Sequence, residues 1–132
     1  LCGKMIDKLV ELHKNCFPDK NWNKKDFLDL KKSGCEIISS MNSFIIYKVI
    51  FDEAEIITIG VNVDKRNQGL ATSLITLMIK DLQEKKVKNI FLEVSINNLQ
   101  ALRLYEKFGF QKISIRKKYY DGIDAIVMKK NI

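Results

Sequence analysis

Proline is almost missing from this chain. Pro18 is the only one in 132 residues, so no proline-rich linker or polyproline segment divides it. Histidine is as rare, with His13 alone. The three cysteines, Cys2, Cys16 and Cys35, are odd in number and widely spaced, and there is no CxxC pair. Too few ligands stand close together for a zinc site, and no even set exists for a disulfide framework. Each cysteine reads as a small hydrophobe in or near the core, in a reduced, cytoplasmic protein. Long apolar runs are absent too. The strongest, 44–51, is broken by Lys48 and falls well short of the ~20 residues that span a bilayer, so no membrane role is expected. Nothing at the start resembles a signal peptide. Because the chain begins at Leu1 rather than Met, the segment is expected to lack its true start. Neither GxxxxGK[ST] nor GxGxxG occurs, which argues against ATP and NAD. No serine, histidine and aspartate fall into a triad order, and no cysteine is placed as a nucleophile.

What is present fits one folded domain over 1–132. Hydrophobic residues make up 46%, enough for a core and too many for a disordered chain. Net charge is +7, which favours anionic partners without choosing among them. Many lysines (Lys24, Lys25, Lys31, Lys32, Lys85, Lys86, Lys88) fall on helical stretches and read as solvated faces.

Periodicity gives the order α-α-β-β-β-α-β-α-β-β, a mixed α/β sheet with helices on its faces. Residues 4–16 are helical, with Met5, Leu9, Leu12 and Cys16 on one stripe. Asn23 caps a second helix, with Asp26 three residues on and Gly34 closing it. Residues 36–40 and 43–51 form a hairpin across Met41-Asn42, and a third strand covers 55–63. The helix from Leu70 carries Leu70, Leu74, Leu77, Met78 and Leu82 on its apolar face, widened by Ile75 and Ile79. Residues 89–95 make a buried strand. Asn97 caps a helix that ends at Phe108, with Gly109 just beyond. Residues 110–116 and 125–129 form a last hairpin around Tyr119-Tyr120-Asp121-Gly122.

The chemistry centres on Arg66-Asn67-Gln68-Gly69-Leu70-Ala71, between the third strand and the long helix. A small-residue turn that opens a helix aims several unpaired N–H groups at one spot, a seat for phosphate or pyrophosphate. Gly60, just upstream in a β-branched strand, marks either a packing bulge or a place where a ligand lies against the backbone. Glu93 shares a strand face with Phe91 and Ser95, opposite Ile90, Leu92 and Val94. On a central strand that carboxylate must be paired, costly or beside a cleft; on an edge strand it would sit in water. Tyr105 lies on the next helix, where a core aromatic and a proton donor are both open readings. A base that strips an amine and an acid that protonates a leaving thiolate are what acyl transfer to an amine requires.

Arg66-x-x-Gly69-x-Ala71, then Leu92-Glu93-Val94, Asn97-Asn98, and Leu104-Tyr105-Glu106-Lys107-Phe108-Gly109-Phe110 together resemble the GCN5-related N-acetyltransferase (GNAT) superfamily. The resemblance runs over 17–129. It is nearest to the ribosomal-protein-alanine N-acetyltransferases, through Phe17-Pro18, Trp22, the Glu93-to-Tyr105 spacing, Arg116-Lys117-Lys118-Tyr119-Tyr120 and Asp124-Ala125-Ile126-Val127-Met128. It implies a single GNAT-type domain with a mostly antiparallel sheet. It also implies acetyl-CoA as donor and direct transfer to an N-terminal α-amine, with alanine of a ribosomal protein the expected acceptor. Ile59, Gly60 and Val61 would meet the pantetheine arm. Arg66, Asn67, Gln68, Gly69, Leu70, Ala71 and Thr72 would hold the pyrophosphate, and Asn98 would touch the cofactor. Glu93 matches the general base and Tyr105 the general acid, while Trp22, Tyr119 and Tyr120 match loops flanking the acceptor. Three departures stand out. Ala71 replaces the commoner glycine, the final hairpin is short, and the family's first strand is missing, which would expose a sheet edge.

Two other classes remain open. One is a GNAT enzyme acting on a small amine or a lysine side chain. The other is a non-catalytic module, binding acyl-CoA or RNA; no aromatic platform interleaved with Lys/Arg supports RNA, so direct nucleic-acid binding is not expected. A monomer or weak dimer is expected.

Overall fold

The structure is a computed structural model that describes residues 3–20, 22–120 and 122–132. Four helices and six strands follow the expected order: α1 (Gly3–Cys16), α2 (Lys24–Lys32), β1 (Cys35–Ser39), β2 (Ser43–Ile50), β3 (Glu53–Val61), α3 (Leu70–Glu84), β4 (Asn89–Ser95), α4 (Leu99–Lys107), β5 (Gln111–Tyr120) and β6 (Ile123–Asn131). A 3₁₀ turn over Val63–Lys65 leads from β3 towards α3.

Local chemistry explains the boundaries. Asn23 and Asp26 form a reciprocal capping box: Asp26 N–H donates to Asn23 Oδ1 at 3.0 Å, and Asn23 N–H to Asp26 Oδ2 at 2.8 Å. Gly34 follows α2 with φ +93°, a left-handed exit that side chains disfavour. The cap of α4 is Asn98 rather than Asn97; its Oδ1 accepts from Ala101 N–H at 3.2 Å. Strand β3 begins two residues earlier than periodicity suggests and stops at Val61, where the 3₁₀ turn takes over. The last two strands also run longer than expected. Tyr120 pairs with Ile123, and both tyrosines belong to β5.

The sheet order is β1-β2-β3-β4-β6-β5. Neighbours β1–β2, β4–β6 and β5–β6 are antiparallel, and β3–β4 is parallel through Glu53↔Asn89, Ala54↔Ile90 and Glu55↔Phe91. The sheet is thus mixed and mostly antiparallel, with β1 and β5 at its ends. No helix among the described residues is long and apolar enough to cross a membrane.

The chain divides into two compact units, Leu1–Lys48 with Ile57–Asp81 and Val49–Ile56 with Leu82–Ile132. In the first, Leu9, Leu12, Cys16, Phe27, Cys35, Phe44 and Ile46 form one core cluster. Phe27 is fully buried, which contributes roughly 1.5–3 kcal/mol on its own. The face of α1 is rotated slightly from the expected stripe: Ile6 is buried and Met5 is 42% exposed. Likewise Leu74, Ile75 and Met78 bury one face of α3, while Leu77 stands out in water at 51%. The second unit buries Ile90, Leu92 and Val94 of β4, with Tyr105, Phe110, Ala125 and Met128.

Candidate functional site

In the first unit, β3 ends at Ile59, Gly60 and Val61. Gly60 is buried, and a Cβ there would lie 2.6 Å from the Phe44 ring and 3.1 Å from Cys16 Sγ. Packing therefore accounts for the glycine directly. Burial pushes the Cys16 thiol up, against the opposing pull of the nearby Arg66 charge, so this cysteine is an inert filler.

The turn after β3 is tied down from several sides. Asn62 N–H donates to Asn42 O at 2.7 Å, and Val63 N–H to Asn15 Oδ1 at 3.2 Å. Arg66 Nε donates back to Val61 O at 3.2 Å. Asn67 and Gly69 take left-handed φ values of +64° and +77°, which asparagine tolerates and glycine adopts freely. Arg66, Asn67, Gln68 and Gly69 are exposed. The first helical bond of α3 runs from Ser73 N–H to Gly69 O at 3.0 Å. The N–H groups of Leu70, Ala71 and Thr72 precede it and have no intrahelical acceptor. N–H groups without an intrahelical acceptor at the positive end of a 15-residue helix, with Arg66 four residues before Leu70, suit a pyrophosphate. Ala71 offers its N–H as a glycine would.

Trp22 sits between α1 and α2 in the same unit. It is half-buried and stacks on His13, ring centroids 4.3 Å apart and planes 14° apart. One face of the indole is thus committed to the core. His13 itself is 1% exposed among Phe17, Trp22, Phe27 and Phe44. Its Nδ1 has no hydrogen-bond partner among the described residues. Burial holds its pKa below the usual histidine value; Lys20 adds to that, and Asp26 opposes it.

In the second unit, β4 alternates as expected, with Ile90, Leu92 and Val94 buried and Phe91, Glu93 and Ser95 half-buried. Strand β4 is central, and Glu93 is paired. Arg116 Nε lies 3.0 Å from Glu93 Oε1, with the Glu93 side chain 18% exposed. The pair crosses a strand: Glu93 opposes Val127 of β6, and Arg116 of β5 opposes Ala125. Sequence reasoning named Arg116 only within a motif. Twenty-three positions separate it from Glu93, and no local spacing announces a contact made across β6.

Tyr105 is the one buried residue of α4, at 5%, edge-to-face with Phe110 at 5.6 Å. Asn98 caps the same helix through Oδ1. Beyond Arg116 the β5–β6 register shifts and Lys118 adopts φ +51°. Asp124 organises that bulge: its carboxylate accepts from Lys118 N–H at 2.9 Å and faces Lys117 Nζ at 3.5 Å. These contacts, the backbone bond first, hold the Asp124 carboxyl below the usual range. Its backbone O also accepts from Ile96 N–H at 3.1 Å, joining the bulge to the loop after β4. The side chains of Tyr119 and Tyr120, the two acceptor-flanking expectations on β5, lie outside the described residues.

Comparison with known proteins agrees with this layout. The profile of the Acetyltransferase (GNAT) family matches residues 6–110. The [ribosomal protein bS18]-alanine N-acetyltransferase of Escherichia coli (strain K12) is 34% identical over 133 residues, covering 90% of this chain and 84% of that protein. The crystal structure of the ribosomal-protein-S18-alanine N-acetyltransferase from Escherichia coli superposes with a TM-score of 0.89 at 30% identity, covering 100% of this chain and 90% of that one. The NatC complex bound to Gag peptide and CoA shares the fold, with a TM-score of 0.82 at 19% identity, covering 99% of this chain and 92% of that one.

Proposed function

Since the chain belongs to the acetyltransferase (GNAT) family and is an N-acetyltransferase, we propose that it acetylates a protein N-terminal α-amine, alanine of a ribosomal protein, with residues 1–132 working as one catalytic domain. Acetyl-CoA supplies the acetyl group as a thioester. The N–H groups of Leu70, Ala71 and Thr72, with Arg66, Asn67, Gln68 and Gly69, would hold its pyrophosphate. Ile59, Gly60 and Val61 would line the pantetheine, and Asn98 would add a side-chain amide.

Glu93 acts as general base. An α-amine has a pKa of about 7.7–8.0, so part of it is protonated at neutral pH and must lose a proton before attack. The neutral fraction attacks, and Glu93 takes, directly or through water, the proton that this nitrogen sheds as it bonds to the acetyl carbon and the carbon–sulfur bond breaks. Tyr105 gives its hydroxyl proton to the departing thiolate. What carries the reading is the half-buried Glu93 carboxyl on the central strand, 3.0 Å from Arg116 Nε, a position where an acidic side chain needs a partner or a cleft. The alanine acceptor is supported by the likeness to the [ribosomal protein bS18]-alanine N-acetyltransferase of Escherichia coli, which is 34% identical.

The test is intact-mass detection of acetyl transfer to three acceptors: a peptide with free N-terminal alanine, the same peptide blocked but carrying lysine, and spermidine. We expect the first to gain one acetyl group and the others none. Transfer only to the lysine peptide or to spermidine would move the acceptor to a side-chain or small amine.

A further inference from the structure

We propose that Arg116 is a specificity-determining residue: by neutralising Glu93 across β6, it makes the base select amines that are already largely uncharged, hence α-amines over lysine side chains and polyamines. The inference rests on Glu93 being the base.

Three observations carry it. Arg116 Nε is 3.0 Å from Glu93 Oε1, so the two charges form one close pair. Their exposures differ: the Arg116 side chain is 56% exposed and Glu93 18%. The cation is therefore the more solvent-accessible member of the pair. The register shows how it reaches Glu93. Glu93, Val127, Ala125 and Arg116 follow one another on one face of three strands. Ala125, opposite Arg116, is fully buried and has the smallest side chain of that row. A larger residue there would block the path of a guanidinium over β6.

The consequence is electrostatic. A lone half-buried carboxylate attracts any ammonium ion and so favours acceptors that carry a permanent positive charge. Paired with a guanidinium, it offers almost no net charge to an arriving cation. Glu93 can still accept a proton from an amine, but an ammonium approaching it also meets Arg116. An α-amine near pKa 7.8 is substantially neutral at pH 7.5, whereas about one lysine side chain in a thousand is neutral there, its pKa being about 10.4. The pair thus penalises the lysine much more than the terminal amine. Arg116 makes a better partner than lysine would for position, since its planar fork is pre-organised, yet lysine would keep the charge.

The experiment compares kcat/KM for the free-alanine peptide and for the blocked lysine peptide, with the intact chain and with Arg116→Gln, Arg116→Met and Arg116→Lys. Thermal melts accompany each variant, and the methionine variant retains the apolar stem should glutamine cost stability. The ratio of alanine to lysine kcat/KM is expected to fall about ten-fold or more in the Gln and Met variants, chiefly through a lower KM for the lysine peptide. Arg116→Lys should restore most of the ratio. An unchanged ratio in folded Gln and Met variants overturns the inference while leaving the base intact. So does a lysine variant as unselective as they are. If the unaltered chain leaves the alanine peptide unmodified, the proposed acceptor fails first and the inference falls with it.

Discussion

His13 in the first unit and Glu93 in the second are both ionisable groups withdrawn from water, and the two units handle them differently. His13 is surrounded by four aromatic rings, has no partner for Nδ1 among the described residues and is held towards its neutral form. Glu93 keeps an arginine 3.0 Å away and a share of solvent. A histidine can shed its charge near neutral pH, so a core can absorb it; a carboxylate would have to climb several pH units, so a counter-ion is the cheaper route. The difference separates filler from chemistry. Neutral and sealed, His13 contributes packing. Glu93, paired with Arg116 and partly open to solvent, is the residue proposed to move a proton.

The most severe way to break that comparison is Glu93→Gln. It is isosteric, and Arg116, being largely exposed, loses little when this contact goes; a pair of this kind is worth about 1 kcal/mol or less. Turnover should fall about 100-fold or more, the usual contribution of a positioned base. Acetyl-CoA affinity, measured by calorimetry, should stay within about two-fold. Equal loss of both would take the base role away from Glu93.

Gly60→Ala attacks the first unit instead. A Cβ 2.6 Å from the Phe44 ring has to displace a fully buried aromatic. Overpacking of this kind costs about 1–3 kcal/mol, which urea unfolding would read. Pairing it with Phe44→Leu should recover part of the loss, because the two sites share the clash. No loss in Gly60→Ala would mean that the strand shifts freely and that packing does not dictate the glycine.

Tyr105→Phe distinguishes the two roles left open for that residue. Only the hydroxyl goes, and the edge-to-face contact with Phe110 survives. Turnover should fall about ten-fold, with the melting temperature recorded alongside. An unaltered rate would make Tyr105 a core aromatic alone.

Legibility followed the range of the interactions. Asn23 with Asp26, Gly34, Gly109 and the alternation of β4 could be read because each is set by residues within a few positions. Errors arose where the decision is made elsewhere. Leu77 fits the helical period of α3, yet only packing partners decide which edge of a stripe is covered. Asn97 and Asn98 are equal candidates for a cap until backbone geometry chooses one. The last hairpin's strands run further towards the turn than periodicity suggests, because Tyr119 and Tyr120 read equally well as turn or strand. In the candidate site, the Gly69 turn and Glu93 stood out by composition, whereas Arg116 could not, its contact being made through a neighbouring strand. His13 carried a usable signal. It falls four residues after Leu9 and three before Cys16, on the buried face of α1.

The gentlest probe of the comparison is pH. With its pKa lowered in the fold, His13 binds its proton more readily in the unfolded chain than in the native one. The sign follows: its contribution to stability is complete above the unfolded value of about 6.5 and is lost as pH falls from there through the folded value. Facing charges modulate this, Lys20 deepening the loss and Asp26 relieving it. The slope can reach about 1.4 kcal/mol per pH unit, the limit for one proton. Urea midpoints taken from pH 7 down to pH 5 should therefore fall in the intact chain and fall less in His13→Phe, which fills the same aromatic cage without titrating. Carboxylates such as Asp124, whose pKa is depressed, add their own loss, but at lower pH and equally in both proteins. The difference between the two curves isolates the histidine. Parallel curves would mean that His13 is protonated as easily in the cage as outside it, and that the first unit tolerates a buried charge after all.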